Sequence, residues 1–353
     1  MSENRKWMIY GATGYTGRLI AEDAKEQGLA PILAGRSEEV ALIAAKLGLP
    51  SRVFSLSDVA ATRRALDGVA ILAHCAGPFV ATSAPMIDAC LLARTHYVDI
   101  TGEIDVFVAA QRRHNQASAA GIVVCPGVGF DVIPTDCVAA CLTQALPQAT
   151  HLALGFKAAG ARSPGTARTA IEGVQLGARV RRNGAIITEP LGRRTRTIDF
   201  GTGAKLAVSI PWGDVATAYF TTGIANIEVY VPASPRSVAR MRRLDRLRPL
   251  LRLPPVRALA ARIAASSNPG PSRKERDAER TWVWGEVRSD TGDVRTARLT
   301  TTNGYRVTID GVLMAVRALL VRPPGSGGYF TPSQLLGARC VERLPGCSAI
   351  RIE

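Results

Sequence analysis

The chain has 353 residues, 47% hydrophobic and 21% charged, the balance of a globular protein large enough for two cores. No apolar run reaches the roughly 18–20 residues of a membrane helix, and the opening "MSENRKW" carries no apolar secretory segment, so a cytoplasmic setting is expected, with peripheral membrane contact left open. The net charge of +15 is uneven: residues 1–150 hold 12 Lys and Arg against 14 Asp and Glu, the remainder 32 against 15.

"KWMIYGATGYTGRLIAEDAKEQG" reads as strand, glycine turn and helix, with Trp7–Tyr10 the strand and Leu19, Ile20 and Ala24 one helix face. Spaced glycines alone also occur in tight turns. The strand before them and the helix after them are the context that a dinucleotide fingerprint requires. Gly11 permits the turn, Gly14 lets backbone approach a pyrophosphate, and Gly17 lets the helix pack on the strand. Thr13, Tyr15 and Thr16 complete the loop, and the helix N-terminus offers donors and positive dipole to the phosphates.

"APILAGRS" is the second strand. Where an NAD enzyme carries an acid for the ribose 2′-hydroxyl, Gly35 is followed by Arg36 and Ser37, a guanidinium fork and a hydroxyl suited to a 2′-phosphate. NADP(H) is therefore the expected cofactor, against the alternative of a solvated arginine. A third strand, "SRVFSLSD", ends at Ser57 and Asp58, where an adenine edge could be read. The fourth, "GVAILAHCAGPF", delivers Cys75, Ala76, Gly77 and Pro78 to the carboxyl edge of the sheet. The fifth, "THYVDITGE", delivers Asp99, Thr101, Gly102 and Glu103, and "GIVVCPGVGFDVIPTDCVAACL" adds a sixth strand, a glycine loop with Asp131, and a helix. Ligands of open parallel sheets lie at these carboxyl ends. Asp99, Glu103 and Asp131 are the candidate proton donors. Each has a structural alternative: pinning a turn, starting a helix or capping one.

Short-chain dehydrogenases share a similar glycine loop but need a Tyr with Lys four residues later, and none of the seven tyrosines has one. Seven cysteines without a CxxC pair or histidines at ligand spacing indicate reduced thiols and no metal.

The motifs "GATGYTG", "AGRS", "HCAGPF", "YVDITGE" and "GVGFDVIPTDCVA", in this order, resemble the saccharopine dehydrogenase-like oxidoreductases, in particular the branch with trans-acting enoyl reductases. "SPGTART", "IPWGDVATAYFTTGIANIEVY" and "GGYFTPSQLLG" extend the resemblance. It implies an α/β fold: a Rossmann-type doubly wound parallel sheet binding NADPH over 1–148, an inserted α+β domain with a mixed or antiparallel sheet over 149–325, and a C-terminal helix, 326–353, returning to the first domain. It leaves both C=C and C=N reduction open.

Beyond residue 150, "HLALGFKA", "RTRTIDFG", "KLAVSIPW" and "NIEVYVPA" are strand-like, and "RTWVWGEVRSDTGDVRTARLTTT" predicts a hairpin around Asp290–Asp293. A helix from "SPGTARTAIEGVQLG" would carry Thr166 and Arg168 as substrate contacts. "TPSQLLGARCVERLPG" predicts a helix capped by Thr331 and running toward Gly346. In 234–280, Val238, Met241 and Leu244 alternate with Arg240, Arg243 and Arg246. Over 236–265 this pattern suits a solvated excursion or docking to an acidic partner, such as an acyl carrier protein or a membrane surface; without aromatic side chains, nucleic acid is disfavoured. The expected reaction is hydride delivery from NADPH to an enoyl thioester or ester, a small-molecule or acyl substrate that could be a carrier-bound lipid, in a homodimeric enzyme. Imine or opine-type reduction and a non-catalytic NADPH sensor are the alternatives.

Overall fold

The computed structural model describes residues 5–158, 177–248, 270–321 and 325–353. They form two compact units, one from the described residues of Met1–Ile133 and Tyr305–Gly337, the other from those of Pro134–Gly304 and Ala338–Glu353.

The first unit is built on a parallel sheet in the order β15-β6-β5-β4-β1-β2-β3, from β1 (Lys6–Tyr10), β2 (Ile32–Gly35), β3 (Ser51–Val53), β4 (Val69–His74), β5 (His96–Asp99), β6 (Val123–Cys125) and β15 (Gly328–Tyr329). The strands read as near-continuous apolar runs because both faces are covered, and Met8, Ile9, Leu33, Ile71, Leu72 and Val98 are fully buried. Crossovers run through α1 (Tyr15–Glu26), α2 (Glu39–Leu47), α3 (Val59–Ala65), α4 (Phe79–Ala93), α5 (Ile104–Gln111) and α6 (His114–Ala120). The chain order reverses between β1 and β4, the switch point at which such sheets bind ligands. This is the expected doubly wound architecture.

The second unit carries a mixed sheet in the order β10-β11-β12-β7-β13-β14-β16. Its members are β7 (Ala149–Ala158), β10 (Thr195–Asp199), β11 (Ala204–Ser209), β12 (Asn226–Pro232), β13 (Arg280–Ser289), β14 (Val294–Thr302) and β16 (Arg351–Ile352). The expected hairpin is present, with β13 and β14 paired from Arg280–Thr302 to Arg288–Val294. Helix α7 (Ile133–Ala145) packs on one face: a Cβ at Gly285 would collide with the Val138 side chain, so glycine there lets the helix approach the strand. A second hairpin, β8 (Ala178–Arg182) and β9 (Ala185–Glu189), turns at Asn183 and Gly184, both at positive φ, and pairs with β12. Helix α8 (Asp214–Thr222) precedes β12.

The boundaries differ from the expected ones. The first unit ends inside α7 at Ile133 rather than at 148, because that helix lies on the second sheet. Helix α11 (Gly304–Val321) belongs to the first unit from Tyr305 onward. The C-terminal helix is short: α12 (Pro332–Leu336) has the Thr331 capping box but stops at Gly337, whose φ of +96° no helix continues through. A 3-10 turn follows at Cys340–Arg343, and β16 then joins β14, so the terminus beyond Gly337 lies in the second unit.

Of the basic stretch, α9 (Pro235–Arg246) and α10 (Arg273–Ala278) are described, and 249–269 lie outside the described residues, as do Thr166 and Arg168. Helix α9 has the expected two faces. Val238 is buried, Met241 and Leu244 are half-buried, and Arg236, Arg240, Arg243 and Arg246 are exposed. Among the described residues, no helix is long and apolar enough to cross a membrane.

Candidate functional site

The turn after β1 is fixed by close approach. Gly11 sits at φ +92°, and its N–H and that of Ala12 both donate to the Ala34 carbonyl. A Cβ at Gly11 would stand 2.7 Å from the Ala76 nitrogen, and one at Gly17 would collide with the Gly11 carbonyl oxygen. Gly11 thus lets the tips of β1 and β4 meet, Gly17 lets α1 sit on the turn, and neither tolerates a side chain. Gly14 is different. It is exposed, it is the N-cap residue of α1, and a Cβ there meets only the Gly11 oxygen, at 3.3 Å. No side chain caps α1 and no acidic residue stands in its first turn, which leaves the positive end of the helix for an anion. This cradle fits a dinucleotide pyrophosphate. Thr13, Tyr15 and Thr16 flank it, half-buried.

Arg36 and Ser37 follow β2 and are exposed. Arg36 lies near enough to Tyr10 that its charge offsets part of the upward push that burial gives the phenol. Tyr10 packs on Phe54 with ring centroids 4.9 Å apart, so the guanidinium stands beside an aromatic floor at the ends of β1 and β3. Ser57 and Asp58 are engaged locally: Ser57 bonds Ser55 at 2.9 Å, and Asp58 caps α3 by accepting from the Ala61 N–H at 2.8 Å. A helix cap is the role the structure gives Asp58.

At the tip of β4, Cys75, Ala76, Gly77 and Pro78 lie on the carboxyl edge as expected, with a cis Gly77–Pro78 bond. Burial pushes the Cys75 thiol up to about 12, so it is no nucleophile near neutral pH. His74 is packed among Tyr10, Phe79 and Tyr97, and burial holds it near 3.

The three carboxylates have separate fates. Asp99, only 1% exposed, accepts from the Tyr97 hydroxyl at 2.7 Å, the Thr101 N–H at 3.0 Å and the Gly127 N–H at 2.8 Å. It pins the turn after β5 to the loop after β6, and its burial leaves it no surface toward a substrate. Burial raises it to about 6 although these donors pull the other way. Thr101, fully buried, accepts from the Glu103 N–H at 3.1 Å and belongs to the same turn. Glu103 accepts from the Phe79 and Val80 N–H groups at 3.0 and 2.7 Å, so it caps α4 from the neighbouring strand tip and sets the Gly77–Pro78 loop. In these bonds Asp99 and Glu103 hold the turns they join.

Asp131 alone combines placement and acidity. A Cβ at Gly102 would stand 2.5 Å from its Oδ2, which puts the carboxyl directly over the turn after β5. The residue is partly exposed, yet desolvation pushes its carboxyl up to about 7. The loop that carries it is braced by α11: the Phe130 N–H donates to Thr308 Oγ1 at 3.1 Å, and a Cβ at Gly311 would stand 2.7 Å from the Val128 oxygen. The first residues of α11 also reach the glycine loop, where Tyr305 meets Tyr15 edge to face at 5.1 Å. Sequence reasoning missed these α11 contacts. Their trace is the small-residue row Gly304, Thr308 and Gly311 at helical spacing.

In the second unit, Arg194 grips Glu189 through two bonds of 2.6 Å, Arg182 pairs with Glu228, and Arg196 bonds Glu286 at 2.9 Å while stacking on Trp284. In the first, Arg306 bonds Asp23 at 2.7 Å and Asp310 at 2.8 Å. Among the described residues, no group of His, Cys, Asp or Glu is placed to hold a metal.

Residues 7–125 match the family model described as the saccharopine dehydrogenase NADP binding domain. The trans-acting enoyl reductase of Mycobacterium leprae is 34% identical over 139 residues, 36% of this chain and 33% of that protein. The saccharopine dehydrogenase-like oxidoreductase of Bos taurus is 27% identical over 150 residues, 36% of this chain and 35% of that protein. The match therefore spans about a third of the length of these relatives. Among solved structures, the apo saccharopine dehydrogenase (L-Glu forming) of Saccharomyces cerevisiae superposes over 99% of both chains with a TM-score of 0.64 at 11% identity, which shows the shared fold. The cofactor of the first unit is accordingly a nicotinamide dinucleotide of the NADP type.

Proposed function

We propose that this chain, whose residues 7–125 are a saccharopine dehydrogenase NADP-binding domain, is an NADPH-dependent oxidoreductase that reduces an activated carbon–carbon double bond, in an enoyl thioester or ester. Bound NADPH supplies the hydride. Gly11, Gly14 and Gly17 shape the pyrophosphate cradle, Arg36 and Ser37 take the 2′-phosphate, and Cys75–Pro78 with Gly102 line the edge on which the nicotinamide half lies.

The observation that carries the choice of bond is Asp131. Hydride addition to the β-carbon of an enoyl group leaves an enolate, which needs one proton at its α-carbon. A protonated imine needs none at that step. Asp131, over Gly102 and titrating at about 7, holds a proton on a substantial share of molecules at neutral pH and can give it up from Oδ2. The relatives named as trans-acting enoyl reductases support the same choice. An opine-type substrate would call for arginines open to carboxylates. Among the described residues, Arg182, Arg194, Arg196 and Arg306 are engaged by acids within their own units. The exposed arginines of α9 suit an acyl chain presented by an acidic carrier protein.

The test is steady-state NADPH oxidation by the purified protein with a 2-enoyl thioester, beside a 2-oxo acid mixed with an amine. Turnover of the thioester supports the reading, and turnover of the imine-forming pair alone overturns it. Tight NADPH binding with neither reaction would favour a sensor.

A further inference from the structure

Three buried thiols meet where the C-terminal segment crosses α7 in the second unit. Cys137 and Cys141 lie four residues apart, on one face of that helix. Cys340 opens the 3-10 turn facing them, and its Sγ is 3.4 Å from the Sγ of Cys137. The Cys141 thiol is directed elsewhere, to the Ala338 carbonyl at 3.5 Å. Among the described residues, which include all seven cysteines, there is no disulfide.

We infer that Cys137 and Cys340 are an oxidisable pair, a site at which a low-molecular-weight disulfide converts two thiols into one intrachain disulfide that clamps the C-terminal segment onto α7. The sulfurs already touch at van der Waals range, and a bond at about 2.05 Å asks them to close by roughly 1.4 Å. Buried Val341, Leu344 and Ile350, an ion pair of Glu353 with Arg298 at 2.6 Å and a set of hydrogen bonds hold the segment. The Glu342 carboxylate accepts from the Ile350 N–H at 2.8 Å, the Ser348 N–H donates to the Thr300 carbonyl at 2.8 Å, and β16 adds a two-residue ladder to β14. Brief opening of so short a segment admits the oxidant. One cysteine thiolate attacks the small disulfide and releases one small thiol, leaving a mixed disulfide. The second cysteine, after losing its proton, displaces the other small thiol and forms the protein S–S bond. Two electrons pass to the small disulfide, and two protons leave the cysteines for the two thiols released.

The S–H···S contact with Cys340, with burial, holds the Cys137 thiol well above its ordinary range, so the reaction is slow in the closed state and gated by opening. The resulting link closes a span of 203 residues that includes almost the whole second sheet. A constraint on so long a loop acts chiefly on the unfolded chain and raises stability.

The experiment incubates the native protein with glutathione disulfide, blocks remaining thiols with an alkylating reagent, and maps peptides by mass spectrometry without reduction. The expected result is a Cys137–Cys340 cross-link, two mass units below the reduced pair, and an unfolding midpoint raised by roughly 5 °C that reverts on adding a reductant. Cys141→Ala should keep both effects, and Cys340→Ser or Cys340→Ala should lose both. Separate alkylation of Cys137 and Cys340, a link that uses Cys141 instead, or an unchanged midpoint in the cross-linked protein would overturn the assignment.

Discussion

The Oδ2 of Asp131 lies 2.5 Å from the point where Gly102 would carry a Cβ. A strand tip and the loop of the next strand therefore share one small volume, with room for a carboxyl and none for a side chain beneath it. Gly102→Ala should displace the carboxyl while leaving the pyrophosphate cradle alone. The expected outcome is a loss of roughly 10²-fold in kcat, with NADPH affinity changed less than threefold. Equal losses in both would mean that Gly102 acts through the nicotinamide edge alone and not through the Asp131 carboxyl.

Asp131 also predicts a pH dependence. Its folded-state value of about 7 lies above the ordinary 3.8, so the stability that the protonated carboxyl contributes is fully present below 3.8 and is lost as pH rises through 7. Asp131→Asn should then stabilise the protein at pH 8 by about 1–2 kcal/mol, less than the full shift because the residue is partly solvated, and the gain should shrink toward pH 4. Urea unfolding of both proteins at several pH values checks the sign. Turnover of the parent should fall above pH 7, and the substitution should remove that limb along with most of the activity.

Asp99 is the structural counterpart. Removing its side chain strands the Gly127 and Thr101 amides and the Tyr97 hydroxyl in the core. Asp99→Ala should cost about 2–4 kcal/mol in thermal or urea unfolding, and Asp99→Asn, which keeps an acceptor, clearly less. A mild effect of the alanine variant on folding with a severe effect on turnover would return Asp99 to the catalytic candidates.

Arg36→Ala should weaken NADPH by about 1–3 kcal/mol and leave NADH almost untouched, because only the 2′-phosphate would lose a charge-assisted partner. Calorimetric titration of both cofactors at two salt concentrations reads this directly. Equal weakening would sink the 2′-phosphate assignment.

The parallel sheet was legible because buried strands and glycine turns leave local signals. Trp7–Tyr10, the loop from Gly11 to Gly17 and the tips of β4 and β5 fall where the patterns put them. The hairpin of β13 and β14 was equally plain, from alternation around Asp290–Asp293. What local patterns do not carry is partnership. Glu103 and Asp58 are acids at strand ends in sequence, and only the fold makes one the cap of a neighbouring helix and the other the cap of its own. The β8–β9 hairpin has its local signal in Asn183–Gly184, both at positive φ. The expected terminal helix failed at Gly337, where the residues beyond it pair with the second sheet instead. The bracing of the Asp131 loop by Thr308 and Gly311 joins residues nearly 180 apart, which no local pattern encodes.

The most direct measurement follows two hydrogens through one turnover of an enoyl thioester. With NADPH deuterated at the transferring position of C4, the account predicts deuterium on the β-carbon of the saturated product. With ordinary NADPH in heavy water, it predicts deuterium on the α-carbon, at a rate that Asp131→Asn depresses. Saturated product without cofactor deuterium on carbon, or cofactor deuterium found only on a carbon bonded to nitrogen when imine-forming substrates are offered, would contradict it.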